Sequence, residues 1–167
     1  MTDRSVIHDT FTIERSYRAA PSRVFAAFAS AEAKNIWGDT GDLEPADGEA
    51  GISEFDFRPD GRERFGFKMN GTTYRYDARY YDIVPHQRII YAYEMYAAEA
   101  RISVSVASIE FVNSGDGTTL TVTEQGAYLG GIDGPQAPSL RKEGVTEMLD
   151  SLTGYLAAQT AGSGATS

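Results

Sequence analysis

A chain of 167 residues with 24 acidic and 15 basic side chains, a net charge of −9 and a pI near 4.7 is a poor partner for nucleic acid or an anionic membrane surface. With 41% hydrophobic and 23% charged residues it suits a single domain with a real core, and no apolar run reaches the roughly 20 residues that span a bilayer. Zero cysteines exclude disulfides, thiolate metal sites and cysteine nucleophiles together.

The opening MTDRSVIHDT has no apolar segment or small-residue cleavage site of the secretory kind, so a cytoplasmic location is expected. Residues 1–9 read as a flexible start, 10–159 as one domain and 160–167, which include GSGATS, as a disordered tail. TFTIERSYR (10–18) alternates like a first strand. Pro21-Ser22 then opens a helix through VFAAFAS, and AEAKNIW forms a second short helix ending near Gly38. GDLEPADGEAG (41–51) is acidic but lacks calcium-loop spacing, so it reads as a solvated loop.

Asn70-Gly71 is a strong hairpin signal, and a two-residue loop there pairs Met69 with Thr72, Phe67 with Tyr74 and Phe65 with Tyr76. A three-residue turn with a glycine bulge at Gly61 would set Phe57 against Phe65 and Phe55 against Phe67. Val84-Pro85-His86-Gln87 is the next turn, and the phase of Ile83 calls for a bulge near Tyr80-Tyr81. The last hairpin turns at Ser114-Gly115-Asp116-Gly117, pairing Phe111 with Leu120, Ile109 with Val122 and Ala107 with Glu124. Continuing that register turns Ser105, Ser103 and Arg101 inward. The opposite phase, with Ile102, Val104 and Val106 inside, needs a further bulge. Finally, Leu140 to Gln159 carries Val145, Met148, Leu149, Leu152, Tyr155 and Leu156 on one helical face.

This order predicts an α+β helix-grip fold: a curved antiparallel sheet of about six to seven strands around a long C-terminal helix, with two short helices after the first strand. It resembles the START-like (SRPBCC) superfamily, in the branch of activator of heat-shock-protein ATPase homologue-like domains. The resemblance rests on FTIERSYRAAPSRVFAAFAS, DIVPHQRIIY, RISVS, GDGTTLTVTEQGAYLGG and EGVTEMLDSL, and covers Thr10 to Ala158. Where that branch commonly has Gly-Trp in the last helix, this chain has Gly144-Val145. The resemblance implies lipid carriers, receptors, cyclases, oxygenase domains or co-chaperone domains as models for function.

Ten tyrosines and eight phenylalanines suggest rings that pack while keeping hydroxyls near polar groups. Trp37, Phe55, Phe57, Phe65, Phe67, Tyr74, Tyr76, Tyr91, Tyr93, Met95, Tyr128, Met148, Leu152 and Tyr155 either line a pocket for a small, mainly apolar molecule or fill the core. Glu124 breaks the apolar alternation of its strand. With Arg101, Ser103 and Ser105 it forms either a polar patch that orients a ligand or a salt bridge at the rim. His8 and His86 are not placed as inward general bases, no metal cluster or phosphate loop is visible, and no cofactor is expected. The reading is ligand binding between sheet and helix by a monomer or homodimer. Two alternatives stay open: partnership with the ninety-kilodalton heat-shock chaperone, and an enzyme of the cyclase or hydrolase kind.

Overall fold

The computed structural model describes residues 5–38, 44–45, 51–131 and 133–163. The strands are β1 (Val6–Tyr17), β2 (Glu44–Pro45), β3 (Gly51–Phe55), β4 (Arg62–Met69), β5 (Thr72–Val84), β6 (Arg88–Ala97), β7 (Ala100–Ser114) and β8 (Gly117–Leu129). The helices are α1 (Pro21–Phe28), α2 (Ala31–Trp37) and α3 (Ala137–Ser163), the last preceded by a 3-10 turn at Gly134–Gln136. All strand pairs are antiparallel, in the order β1-β8-β7-β6-β5-β4-β2, with β3 also on β4. This is the α+β helix-grip arrangement expected from the pattern of elements. Most of the acidic 41–51 segment lies outside the described residues, as do 164–167.

Local chemistry accounts for the element ends. Pro21 stands at the start of α1, where a missing N–H costs nothing. Ser30 caps α2 by accepting the Ala33 N–H at 3.2 Å. The first strand starts at Val6 rather than Thr10, because Val6 to Asp9 pair with Leu129 to Gly126 of β8. Residues 6–9 are therefore strand, not a flexible lead.

Two hairpins follow the expected register, Phe65↔Tyr76 with Phe67↔Tyr74 and Phe111↔Leu120 with Ala107↔Glu124, and β5 pairs with β6 through the expected bulge, between Tyr80 and Asp82. One hairpin does not follow it. Phe55 lies opposite Glu63 and Ile52 opposite Phe65, so Phe57 passes beyond the strand end. The connection is longer than three residues: it coils on itself through Arg58 N–H to Asp56 O (3.0 Å) and Gly61 N–H to Arg58 O (2.8 Å). A Cβ on Gly61 would lie 2.0 Å from the Asp56 carbonyl oxygen, a main-chain atom that cannot move aside. Gly61→Ala is therefore expected to lower stability by about 1–3 kcal/mol, read as an earlier urea midpoint at unchanged slope; an unshifted midpoint would contradict this packing.

The core gathers where α1, α2 and α3 cover the sheet. Phe25 and Phe28 meet Phe111 edge-on at 5.5 and 5.7 Å between ring centres, and Phe28 meets Trp37 at 5.0 Å. Leu149, Leu152 and Leu156 close this cluster from α3 against Leu120, Val122 and Ile13. The opposite sheet face is exposed at Val104 and Val106, as alternation requires.

Candidate functional site

Glu124 points inward from β8 and is 1% exposed. Its strand partners Ala107 and Phe11 leave it no hydrogen-bonding neighbour on those two residues' side chains. Relief comes from farther away. The Tyr93 hydroxyl of β6 donates to Glu124 Oε1 at 2.5 Å. Arg141, in the first turns of α3, reaches down so that Nη1 donates to Tyr93 Oη at 2.8 Å and lies 3.5 Å from Glu124 Oε1. Its Nη2 donates to Ser103 Oγ at 2.7 Å. The guanidinium also sits 5.3 Å from the Tyr93 ring centre and 5.4 Å from that of Tyr128.

Small side chains make room for this cluster. Ser103, Ser105 and Gly126 occupy β7 and β8 next to Tyr93 and Tyr128. A Cβ on Gly126 would sit 3.0 Å from Ser105 Oγ and 3.1 Å from the Tyr128 ring, so glycine allows that ring to lie flat across the strand. Among the described residues, Ser105 Oγ and Tyr128 Oη are buried without a hydrogen-bond partner. Ser105 is still near enough to Glu124 to favour its charge, though not in regular hydrogen-bond geometry. A void of about 10 Å³, room for one water-sized group, borders Tyr128, Ile102 and Ala137.

Burial raises the Glu124 pKa above the ordinary carboxylate value, while the Tyr93 hydrogen bond and the Arg141 charge work against that rise. Burial likewise pushes the Tyr93 and Tyr128 hydroxyls upward, so both are neutral donors at physiological pH. Burial opposes the Arg141 charge, but Tyr93, Glu124 and Tyr128 hold its pKa above the usual value.

A second buried carboxylate was not anticipated. Glu63 on β4 is 4% exposed, accepts from the Tyr80 hydroxyl at 2.5 Å and pairs with Lys34 Nζ of α2 at 2.6 Å. Tyr91 lies between the two acidic clusters, its ring 6.2 Å from Tyr80 and 5.9 Å from Tyr93. The Glu63 cluster is closed by its own cation and pins α2 to the sheet.

The structure therefore brings Tyr93, Ser103, Ser105, Glu124 and Tyr128 together, and corrects Arg101. A bulge sets Met95 opposite Ser103 but Tyr96 opposite Arg101, leaving Ile102 as the extra residue. Arg101 is thereby turned outward, half exposed, against Glu94 at 3.4 Å and the Tyr96 hydroxyl. The cation near Glu124 comes from the helix instead. Phe55, Phe65, Phe67, Tyr74, Tyr76, Tyr91 and Met95 are half-buried along the inner face of β3 to β6. Phe67 stacks on Tyr74 at 5.2 Å and Tyr76 approaches Tyr93 at 4.8 Å, so this row runs into the polar cluster. Trp37 and Leu152 are core residues; the Trp37 indole N–H donates to the Ala27 carbonyl at 2.9 Å. Phe57, Met148 and Tyr155 pack against that core from its edge.

An antiparallel sheet with a long C-terminal helix and two short helices after the first strand is the fold of a START-like (SRPBCC) protein. Residues 18–157 match the family described as activator of Hsp90 ATPase homolog 1-like protein, and the chain belongs to that family. The Mll3558 protein of Rhizobium loti is 43% identical over 90% of this chain and 99% of its own, with a TM-score of 0.78. A Rhizobium leguminosarum protein is 38% identical over 94% of this chain and 99% of its own, with a TM-score of 0.80. DynU16, a protein of the dynemicin biosynthetic locus, shares the fold at 17% identity and a TM-score of 0.63, over 89% of this chain and 47% of its own. Comparison with curated proteins finds no match. Among the described residues, no helix is long and apolar enough to cross a membrane.

Proposed function

We propose that this protein binds a small, mainly apolar molecule on the inner face of the sheet. The apolar body would lie along Phe65, Phe67, Tyr74 and Tyr76, and its polar end would meet the cluster around Glu124. The observation that carries this reading is the pair of buried hydroxyls, Ser105 and Tyr128, left without partners beside Arg141. Buried donors and acceptors are nearly always satisfied, so an unsatisfied pair in one place suits an absent polar group.

The test begins with stability. Tyr128→Phe removes a hydroxyl that is desolvated but unpaired, so it should not cost stability by losing a hydrogen bond, whereas Ser105→Ala also removes the hydroxyl that favours the Glu124 charge and should cost a little. Thermal-shift screening of apolar molecules against the wild type should find ligands that raise its melting temperature, since binding only to the folded state stabilises it. In the double variant that rise should shrink by more than half. Equal shifts in both proteins, or no shift with any apolar compound, would remove the basis for the reading.

A second reading follows the family description: contact with the heat-shock chaperone through the outer sheet face. There Tyr81 and Val104, 53% and 41% exposed, line an open depression of about 330 Å³. Stimulation of chaperone ATPase activity by the purified chain, lost on Val104→Asp, would favour that reading over the first.

A further inference from the structure

The polar end of the inner face contains one cation and one anion, held within one hydrogen-bonded unit. Arg141 and Glu124 share the Tyr93 hydroxyl, which donates to Glu124 at 2.5 Å and accepts from Arg141 at 2.8 Å. Arg141 spends its other terminal nitrogen on Ser103 at 2.7 Å. Their side chains are 14% and 2% exposed, so water does little to screen either charge. The groups left over, Ser105 Oγ and Tyr128 Oη, are both neutral hydroxyls able to donate or to accept. Asp9, the strand partner of Gly126, also acts on Tyr128, but it is exposed and its field is screened by solvent.

We infer that Glu124 and Arg141 are specificity-determining residues whose mutual neutralisation selects uncharged ligands, namely an apolar body ending in a hydroxyl or carbonyl oxygen. This rests on the ligand-binding reading above and specifies the chemistry of the ligand's polar end. A carboxylate entering beside Ser105 and Tyr128 meets the Arg141 charge already cancelled and the Glu124 charge close by. An ammonium meets the reverse. In either case the ligand gives up its hydration without gaining an unpaired counter-charge. A hydroxyl gives up far less and completes both orphaned groups.

The test uses three probes with the same bicyclic body: naphthol, naphthoate and naphthylmethylammonium, titrated by calorimetry or NMR at neutral pH. The wild type should bind naphthol at least about tenfold more tightly than either ion. Glu124→Gln, which keeps the shape but removes the anion, should raise naphthoate affinity by more than the wild-type gap, about a hundredfold, so that the order of naphthol and naphthoate inverts. Arg141→Gln should shift preference toward the ammonium in the same way. The wild-type order stands as a test by itself if a variant does not fold. Should the wild type bind naphthoate as tightly as naphthol, the neutralisation argument falls while ligand binding stands. Should Glu124→Gln fold and leave the order unchanged, the assignment to these two residues falls. Binding of none of the three overturns both the inference and the reading beneath it.

Discussion

Replacing Arg141 with methionine is expected to destabilise the protein by about 3 kcal/mol above neutral pH and by clearly less in mild acid. The substitution keeps most of the side-chain volume and removes the only cation in contact with Glu124 among the described residues. Breaking a buried pair from one side is costly because the remaining charge keeps its desolvation penalty without its compensation. The sign of the pH dependence follows from the direction of the Glu124 shift. Burial raises this carboxyl above its unfolded value, with Tyr93 and Arg141 resisting. A raised acid binds its proton more tightly in the folded state. Its contribution to stability is therefore greatest below the unfolded pKa and declines as pH rises through the folded one. Without Arg141 the folded pKa climbs further, so the decline extends to higher pH and grows. Urea titrations across a pH series measure this directly. Adding Glu124→Gln to the methionine variant should recover most of the high-pH loss, since no charge is then stranded. A loss that is flat with pH, or that the second change does not relieve, would contradict the ion-pair account.

Phe111→Ala should cost more, about 3–5 kcal/mol, at every pH. Phe111 is 4% exposed and takes edge contacts from two rings of α1, Phe25 and Phe28, at 5.5 and 5.7 Å. It also holds the last hairpin to the helices, lying opposite Leu120, whose exposure is 0%. Truncation would open a cavity lined by rigid rings that cannot collapse into it. Phe67→Ala is the control: its ring is half-buried on the inner face, stacked on Tyr74 at 5.2 Å and tilted against Phe65 at 5.7 Å. That change should cost distinctly less stability while weakening any ligand that lies along the row. If Phe67→Ala proved as damaging as Phe111→Ala, the aromatic row would be ordinary core.

Much of this site could be read before any coordinates. Glu124 announced itself by breaking the alternation of Leu120 and Val122, and the Ser-Gly-Asp-Gly turn carried Ser103 and Ser105 to the same side. Arg141 is legible too. It stands four residues before Val145, seven before Met148 and eleven before Leu152, which puts a lone cation at the centre of the apolar stripe of α3. A charged residue in phase with a buried face is as informative as a carboxylate on a buried strand. Arg101 misled because strand periodicity holds only until an extra residue intrudes, and the bulge at Ile102 has no glycine or proline to mark it.

What the sequence determined by itself was the order of elements, the register of two hairpins and the apolar face of the last helix. These depend on turn chemistry and on periods of two and 3.6 residues, which neighbouring residues specify. Only the tertiary structure decided that Trp37 belongs to the core, that β1 closes the sheet against β8, and that the cation opposite Glu124 comes from α3. Each of these depends on how elements far apart in the chain dock on one another, and docking is settled by mutual packing and desolvation that no local pattern records.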